Sequence, residues 1–307
     1  MSFIDFHCDT ASRIYYDRTK LYDNSYHIDI TKLRQSNYLA QWFAFFVNTA
    51  SIGEKSPMEE FQEMYNYFIA EVNNNPKDIT VVTNYESYIK AKKEKKIGAF
   101  LSLEEGQVLE GDLSNVDKLE DLGIRLMTLT WNFTNSLGHP HTINEGLTDL
   151  GKELAKYLNS KKILVDIAHL SKEGMKDIIA LYKKPIIASH SNAQGFYNHT
   201  RNLDDTTIKA IANSGGVVGV NFYSYFLNHS RHTKIEDLVG VINYLYQVGG
   251  EDILALGTDF DGIDCDLEVC NCAEMDKLIS SLSRLYSNKV IEKFSYGNIE
   301  RVIKETL

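Results

Sequence analysis

Five short apolar runs in this 307-residue chain end on side chains able to hold a cation or move a proton. They end in His7-Cys8-Asp9, Glu104-Glu105-Gly106, Asp166-Ile167-Ala168-His169, Ser189-His190-Ser191 and Asp259-Phe260-Asp261-Gly262. Taken singly, a buried histidine is more often a hydrogen-bonded core residue than a ligand. Repeated termination of apolar runs in His, Asp or Glu is not a packing pattern. His7 and Asp9 are two apart, so an extended strand points both the same way, as two ligands of one metal require. Imidazole together with carboxylate favours a borderline ion such as zinc over calcium or magnesium. His7, Asp9, Glu105, His169 and His190 make five ligand-type side chains. A single catalytic zinc uses three protein ligands plus water. Five fit two ions bridged by one carboxylate and a hydroxide, which is hydrolase chemistry.

Residues up to 252 positions apart must then meet on one face. Short β-branched runs alternate with longer helical patterns. The strand candidates are residues 3–7, 41–47, 98–103, 125–130, 163–168, 185–189, 217–222 and 253–258. Helical patterns cover 58–72, 116–122, 147–158, 172–182, 206–212 and 235–247. A ninth run, 80–83, and a helix over 86–95 read as an insertion before the third strand, and 275–307 reads as helices. Eight strands alternating with helices predict an α/β fold, a parallel (β/α)8 TIM-type barrel forming a single domain over 1–307. All strand ends of such a barrel share one face. A doubly wound sheet is the alternative, but no glycine-rich phosphate loop accompanies it.

Composition narrows the partners. With 32 Lys+Arg against 42 Asp+Glu the net charge is −10, which disfavours nucleic acid and anionic lipid. The first ten residues lack the basic region of a signal peptide, and residues 40–47 are too few to span a bilayer, so a cytoplasmic protein is expected. Four cysteines fit a reducing compartment. Cys265, Cys270 and Cys272 have no standard zinc spacing and read as free loop thiols.

These residues resemble the renal (membrane) dipeptidase family over nearly the whole chain. The resemblance is carried by DFHCDT at 5–10, LEEGQ at 103–107, GIRLMTLTWN at 123–132, VDIAHLS at 165–171, PIIASHSNA at 185–193, HTRNLDD at 199–205 and ALGTDFDG at 255–262. It implies a dipeptidase with two zinc ions per chain. His7 and Asp9 would hold one, His169 and His190 the other, and Glu105, before Gly106, would bridge them. Glu104 would be a neighbour. Asp259 would move the proton, and Arg201 would receive the substrate's C-terminal carboxylate with its bidentate fork, Asn202 beside it. Trp131 stands where mammalian members carry a histidine, so Trp131 and Asn132 are expected at the substrate. His139 and His141 are read as exposed loop residues that could replace that histidine. Tyr223 and Tyr225 could line the pocket or simply pack.

The reading is a dinuclear zinc dipeptidase acting through a metal-bridging hydroxide. Its rivals are an amide hydrolase of D-amino-acid peptides, N-acyl amino acids or β-lactam-like rings, and a metal-binding protein without turnover. An intact Asp259 speaks against the last. The oligomeric state stays open, with a homodimer among the options.

Overall fold

The computed structural model describes residues 1–307. Its strands are β1 (Phe3–Cys8), β2 (Tyr38–Phe46), β3 (Ile79–Val81), β4 (Ile97–Glu104), β5 (Ile124–Thr128), β6 (Leu164–Asp166), β7 (Ile187–Ala188), β8 (Val217–Val220), β9 (His232–Thr233), β10 (Leu254–Leu256) and β11 (Asp266–Leu267). Eight of them close a parallel barrel in the order β1-β2-β4-β5-β6-β7-β8-β10, with β10 paired back onto β1. These are the eight strands expected from sequence, wrapped by the expected helices. The 80–83 run becomes β3. It pairs with the first residues of β4, below the point at Leu101 where β5 takes over. β9 and β11 form a separate two-stranded ribbon.

The pleat sorts the side chains. Ile4, Phe6, Trp42, Phe100, Leu164 and Val217 fill the barrel interior. Trp42 stacks on Phe100 with ring centroids 4.5 Å apart. Ile299, Val302 and Ile303 of the C-terminal helix Asn298–Thr306 join this cluster. That helix covers the end where the strands begin, which leaves the carboxyl ends open for a site. Phe43 and Phe45 point outward onto Phe61 and Phe68 of the helix Pro57–Asn74. That helix starts with a capping box between Ser56 and Glu59 and a proline in its first turn.

Three strands stop earlier than their apolar runs, for one physical reason. Buried carboxylates take the amides that would extend the ladder. Asp166 Oδ1 accepts from Ala168 N and Ser189 N, ending β6 and β7. Asp5 Oδ1 accepts from Thr258 N, ending β10. Two short helices in the β1–β2 connection, Thr10–Asp17 and Ile30–Gln35, were not foreseen from sequence.

Candidate active site

His7 reaches the open end of the barrel by a break in alternation. Between Asp5 and Cys8 the register of β1 against β2 slips by one residue. Such a bulge re-aims side chains, so Phe6 stays in the interior core while His7 enters the site beside it. Asp9 lies just past the strand, at the start of the helix Thr10–Asp17. His7 Nε2 stands 3.3 Å from Asp9 Oδ2 and 3.3 Å from Glu104 Oε2. The two ligand candidates therefore converge through a bulge and a turn, not through the expected extended spacing.

Glu104 is the last residue of β4, and its carboxylate is shared. Oε1 lies 3.1 Å from His169 Nε2 and 3.7 Å from His190 Nε2, while Oε2 faces His7. Three overlapping groups have ligand atoms within 4.8 Å of one another: His7, Asp9 and Glu104; Glu104, His169 and His190; His7, His190 and Asp259. The first two share Glu104 as a bridging carboxylate would be shared.

Glu105, expected in that place, is elsewhere. Beyond the strand its backbone turns to φ 97°. Its carboxylate accepts from Gln107 N at 2.8 Å, Asn135 Nδ2 at 2.5 Å and Trp131 N at 3.3 Å. The correction has a signal in the sequence. Phe100, Ser102 and Glu104 share one face of β4, whereas Leu101 and Leu103 face the helices. The period of two puts Glu104 on the inner face. The Glu-Gly pair is explained by packing, because a Cβ on Gly106 would stand 2.6 Å from Leu129 O.

The donors are set for a cation. His169 Nδ1 lies 2.9 Å from Asn132 Oδ1, and His190 Nδ1 lies 2.7 Å from Ser189 Oγ. The two Nε2 atoms face each other at 2.9 Å. With Nδ1 protonated, both Nε2 atoms carry lone pairs, and a cation reconciles them. Asp9 Oδ1 is buried without a hydrogen-bond partner, a ligand atom left free. The residues present fit a metal.

Burial and charge tune the site. Burial holds His169 and His190 well below the usual imidazole range, with neighbouring cations adding to it. Burial also opposes the charged form of His7, but Glu104 and Asp9 outweigh it and raise its pKa well above normal. Asp259 is pushed up to about 8, first by burial and then by Asp9 and Glu104, against the pull of His7. Its Oδ2 accepts from Asn221 Nδ2 at 2.9 Å, and Oδ1 lies 3.7 Å from His7 Nε2. His169 and Asp259 both hold left-handed backbone, φ 66° and 62°. Such strain in non-glycine residues gathers at functional sites.

A cavity of about 660 Å³ opens over the cluster, within the range of small-molecule sites. Trp131, Asn132 and Tyr223 are among its lining residues, with Asp9, Glu104, His169 and Asp259. Tyr223 Oη donates to Asp264 Oδ1 at 3.1 Å. Ser12, Arg13 and Tyr16, from the unforeseen helix Thr10–Asp17, complete one wall.

Arg201, expected at the substrate, is 1% exposed and does not itself line the cavity; its guanidinium lies over the ring of Phe226, 5.8 Å from the centroid, and Phe226 does line it. Its Nη1 donates to Ser191 Oγ, its Nη2 to His190 O, and its Nε finds no partner. Burial lowers its pKa to about 10 against the support of Asp259, Asp166 and Glu104. Asn202 is placed differently from the expectation. Its amide nitrogen donates to Tyr197 O and Phe226 O, so it ties the loop and does not line the cavity. His139 and His141 also stand off the cavity, with Nδ1 atoms paired to Thr134 Oγ1 and Thr200 Oγ1. No cysteine belongs to a metal-type group.

A closed (β/α)8 barrel with imidazoles and carboxylates converging at its carboxyl end defines a metal-dependent hydrolase. A profile of the membrane dipeptidase family, peptidase family M19, matches residues 1–307. The chain belongs to this family and is a metal-dependent dipeptidase. An uncharacterised protein from the pqqA 5′ region of Klebsiella pneumoniae is 32% identical over 229 residues, 70% of this chain and 84% of that protein. The fold matches a metallopeptidase from Rhodobacter sphaeroides, crystallised with a phosphinate mimic of the dipeptide L-Ala-D-Ala. The TM-score is 0.93 at 21% identity, covering 100% of this chain and 99% of the other. It matches a dipeptidase of family M19 equally well, with a TM-score of 0.93 at 22% identity, covering 100% and 98%. No helix here is long and apolar enough to cross a membrane.

Proposed function

We propose that this chain hydrolyses dipeptides bearing a free C-terminal carboxylate, with two zinc ions at the barrel mouth. His7 and Asp9 hold one ion, His169 and His190 the other, and Glu104 is common to both. The observation that carries this reading is the division of the Glu104 carboxylate, one oxygen towards His7 and the other towards His169. When bound, divalent cations polarise a carbonyl and make water a nucleophile near neutral pH.

The chain's own groups supply the rest. Asp259 faces the cavity beside the ligand cluster, where a carboxylate can exchange a proton with the attacking water and the leaving amine. It takes the proton of the attacking water and returns it to the leaving amine, while Asn221 holds its carboxylate in place. Asn132 orients His169 from the cavity wall. Arg201 has hydrogen bonds to a hydroxyl and a carbonyl and none to a carboxylate. Its charge is supported at a distance by Asp259, Asp166 and Glu104, but its buried Nε has no partner, and a substrate carboxylate would supply one.

A D residue at the C-terminal position is a second reading. It is favoured by the L-Ala-D-Ala mimic bound to the Rhodobacter sphaeroides enzyme. A panel of L,L and L,D dipeptides, each as free acid and amide, tests both readings with zinc-loaded protein. Amidation is expected to lower kcat/KM about 10- to 150-fold, the worth of a charge-assisted contact. Equal rates on acid and amide would remove Arg201 and the carboxylate rule. The ratio of L,D to L,L rates decides the stereochemistry.

A further inference from the structure

Behind the two histidines that face each other lies a carboxylate that touches neither. Asp166 ends β6 and is fully buried. Its four hydrogen bonds all come from donors: Ala168 N at 3.0 Å and Ser189 N at 2.9 Å on Oδ1, Thr128 Oγ1 at 2.5 Å and Ser189 Oγ at 2.6 Å on Oδ2. Two of these donors, Ala168 and Ser189, immediately precede His169 and His190 in the chain.

A serine hydroxyl has one proton. Ser189 Oγ gives it to Asp166, so its 2.7 Å contact with His190 Nδ1 is one in which the ring donates. His190 is thereby held as the Nδ1–H tautomer, with the Nε2 lone pair directed at Glu104 and His169. A direct carboxylate contact to a ligand histidine is a common way of fixing its tautomer and raising its basicity. Here the carboxylate acts through a hydroxyl, and the same carboxylate also ties down the backbone in front of His169.

We propose that Asp166, acting through Ser189, is a positioning residue that sets the affinity of the metal site shared by His169 and His190. The proposal rests on the metal reading of that site. It separates two roles for the hydrogen bonds at Asp166 Oδ2. The one from Ser189 orients a ligand, and the one from Thr128 only stabilises the barrel.

The test compares Ser189→Ala with Thr128→Val in the full chain, by zinc titration against a chromophoric chelator and by thermal unfolding. Ser189→Ala is expected to weaken one zinc equivalent about 10- to 100-fold and leave the other unchanged. Thr128→Val is expected to lower stability while holding both affinities within about threefold, below the range of that ligand effect. Wild-type affinity in Ser189→Ala, or equal weakening in both variants, would overturn the proposal. A second measurement needs no variant. The ¹⁵N signals of His190 in the metal-free wild type at neutral pH are expected to show a protonated Nδ1, and the Nε2–H tautomer would also overturn it. Failure of the wild type to bind zinc at this pair would instead overturn the reading of the site.

Discussion

Glu104 and Glu105 are consecutive, yet their carboxylates serve different parts of the molecule. Glu104 ends β4 on the inner face and lies between His7 and His169. Glu105, past the strand, is occupied by Gln107 N, Trp131 N and Asn135. Substitution separates them. Glu104→Gln is expected to reduce the zinc bound per chain and turnover together. Glu105→Gln is expected to keep the metal and lose about 1.5–3 kcal/mol of stability, the worth of a hydrogen bond to a charged group. Elemental analysis and urea unfolding read the two effects, and the opposite pattern would exchange the assignments.

Asp259 gives a different signature. It belongs to a metal-type group with His7 and His190, but its Oδ1 stands 3.7 Å from His7 Nε2, farther than Glu104 Oε2 from His7 at 3.3 Å or Glu104 Oε1 from His169 at 3.1 Å. Asp259→Asn is expected to lower kcat by about 10²–10⁴-fold, the usual contribution of a general acid–base group. The metal content should stay at the wild-type level. Loss of metal before loss of turnover would make Asp259 a ligand and leave the proton transfer without an owner.

The barrel was legible because periodicity carries it. Apolar runs on β1, β2 and β4 divide by parity between the interior cluster and the helix-facing layer. The site was legible to the level of which strand ends meet. Two features escaped. The inward turn of His7 depends on a register slip against β2, which is a property of the pair of strands and not of either sequence. The helices Thr10–Asp17 and Ile30–Gln35 have eight and six residues, too short for a clear helical period. Glu104 was readable from the parity of Phe100 and Ser102, but the neighbouring Glu-Gly pair drew the assignment to Glu105. Asn202 shows the opposite limit. Adjacency to Arg201 put it near the substrate, whereas its amide serves the backbone of its own loop.

Gly262 offers a substitution that acts directly on two carboxylates of the site. The residue is exposed, yet a Cβ there would lie 2.1 Å from Asp9 Oδ2 and 2.7 Å from Asp259 Oδ1. Gly262→Ala must displace one of these carboxylates. Turnover is expected to fall about 10²-fold, the scale of an ångström-sized misplacement. The displacement is also expected to cost about 1–3 kcal/mol of stability, the scale of overpacking, so turnover is compared well below the unfolding transition. Wild-type kcat/KM in Gly262→Ala would mean that neither carboxylate needs its present position.

His141 supplies a pH dependence that does not involve the cluster. Its ring is held at a pKa of about 4, first by burial and then by Arg201 and His199. Nδ1 pairs with Thr200 Oγ1, and the backbone nitrogen donates to His169 O. An unfolded chain protonates this ring near 6.5. Between about 6.5 and 4 the unfolded state therefore binds a proton that the folded state refuses, and stability falls as pH falls through that window. Above 6.5 the effect is absent. His141→Gln is expected to keep the wild-type denaturant midpoint at pH 8 more closely than at pH 5, where the variant should gain on the wild type. An NMR titration of the His141 Hε1 signal should have its midpoint near 4, and a midpoint near 6.5 would show a solvated ring.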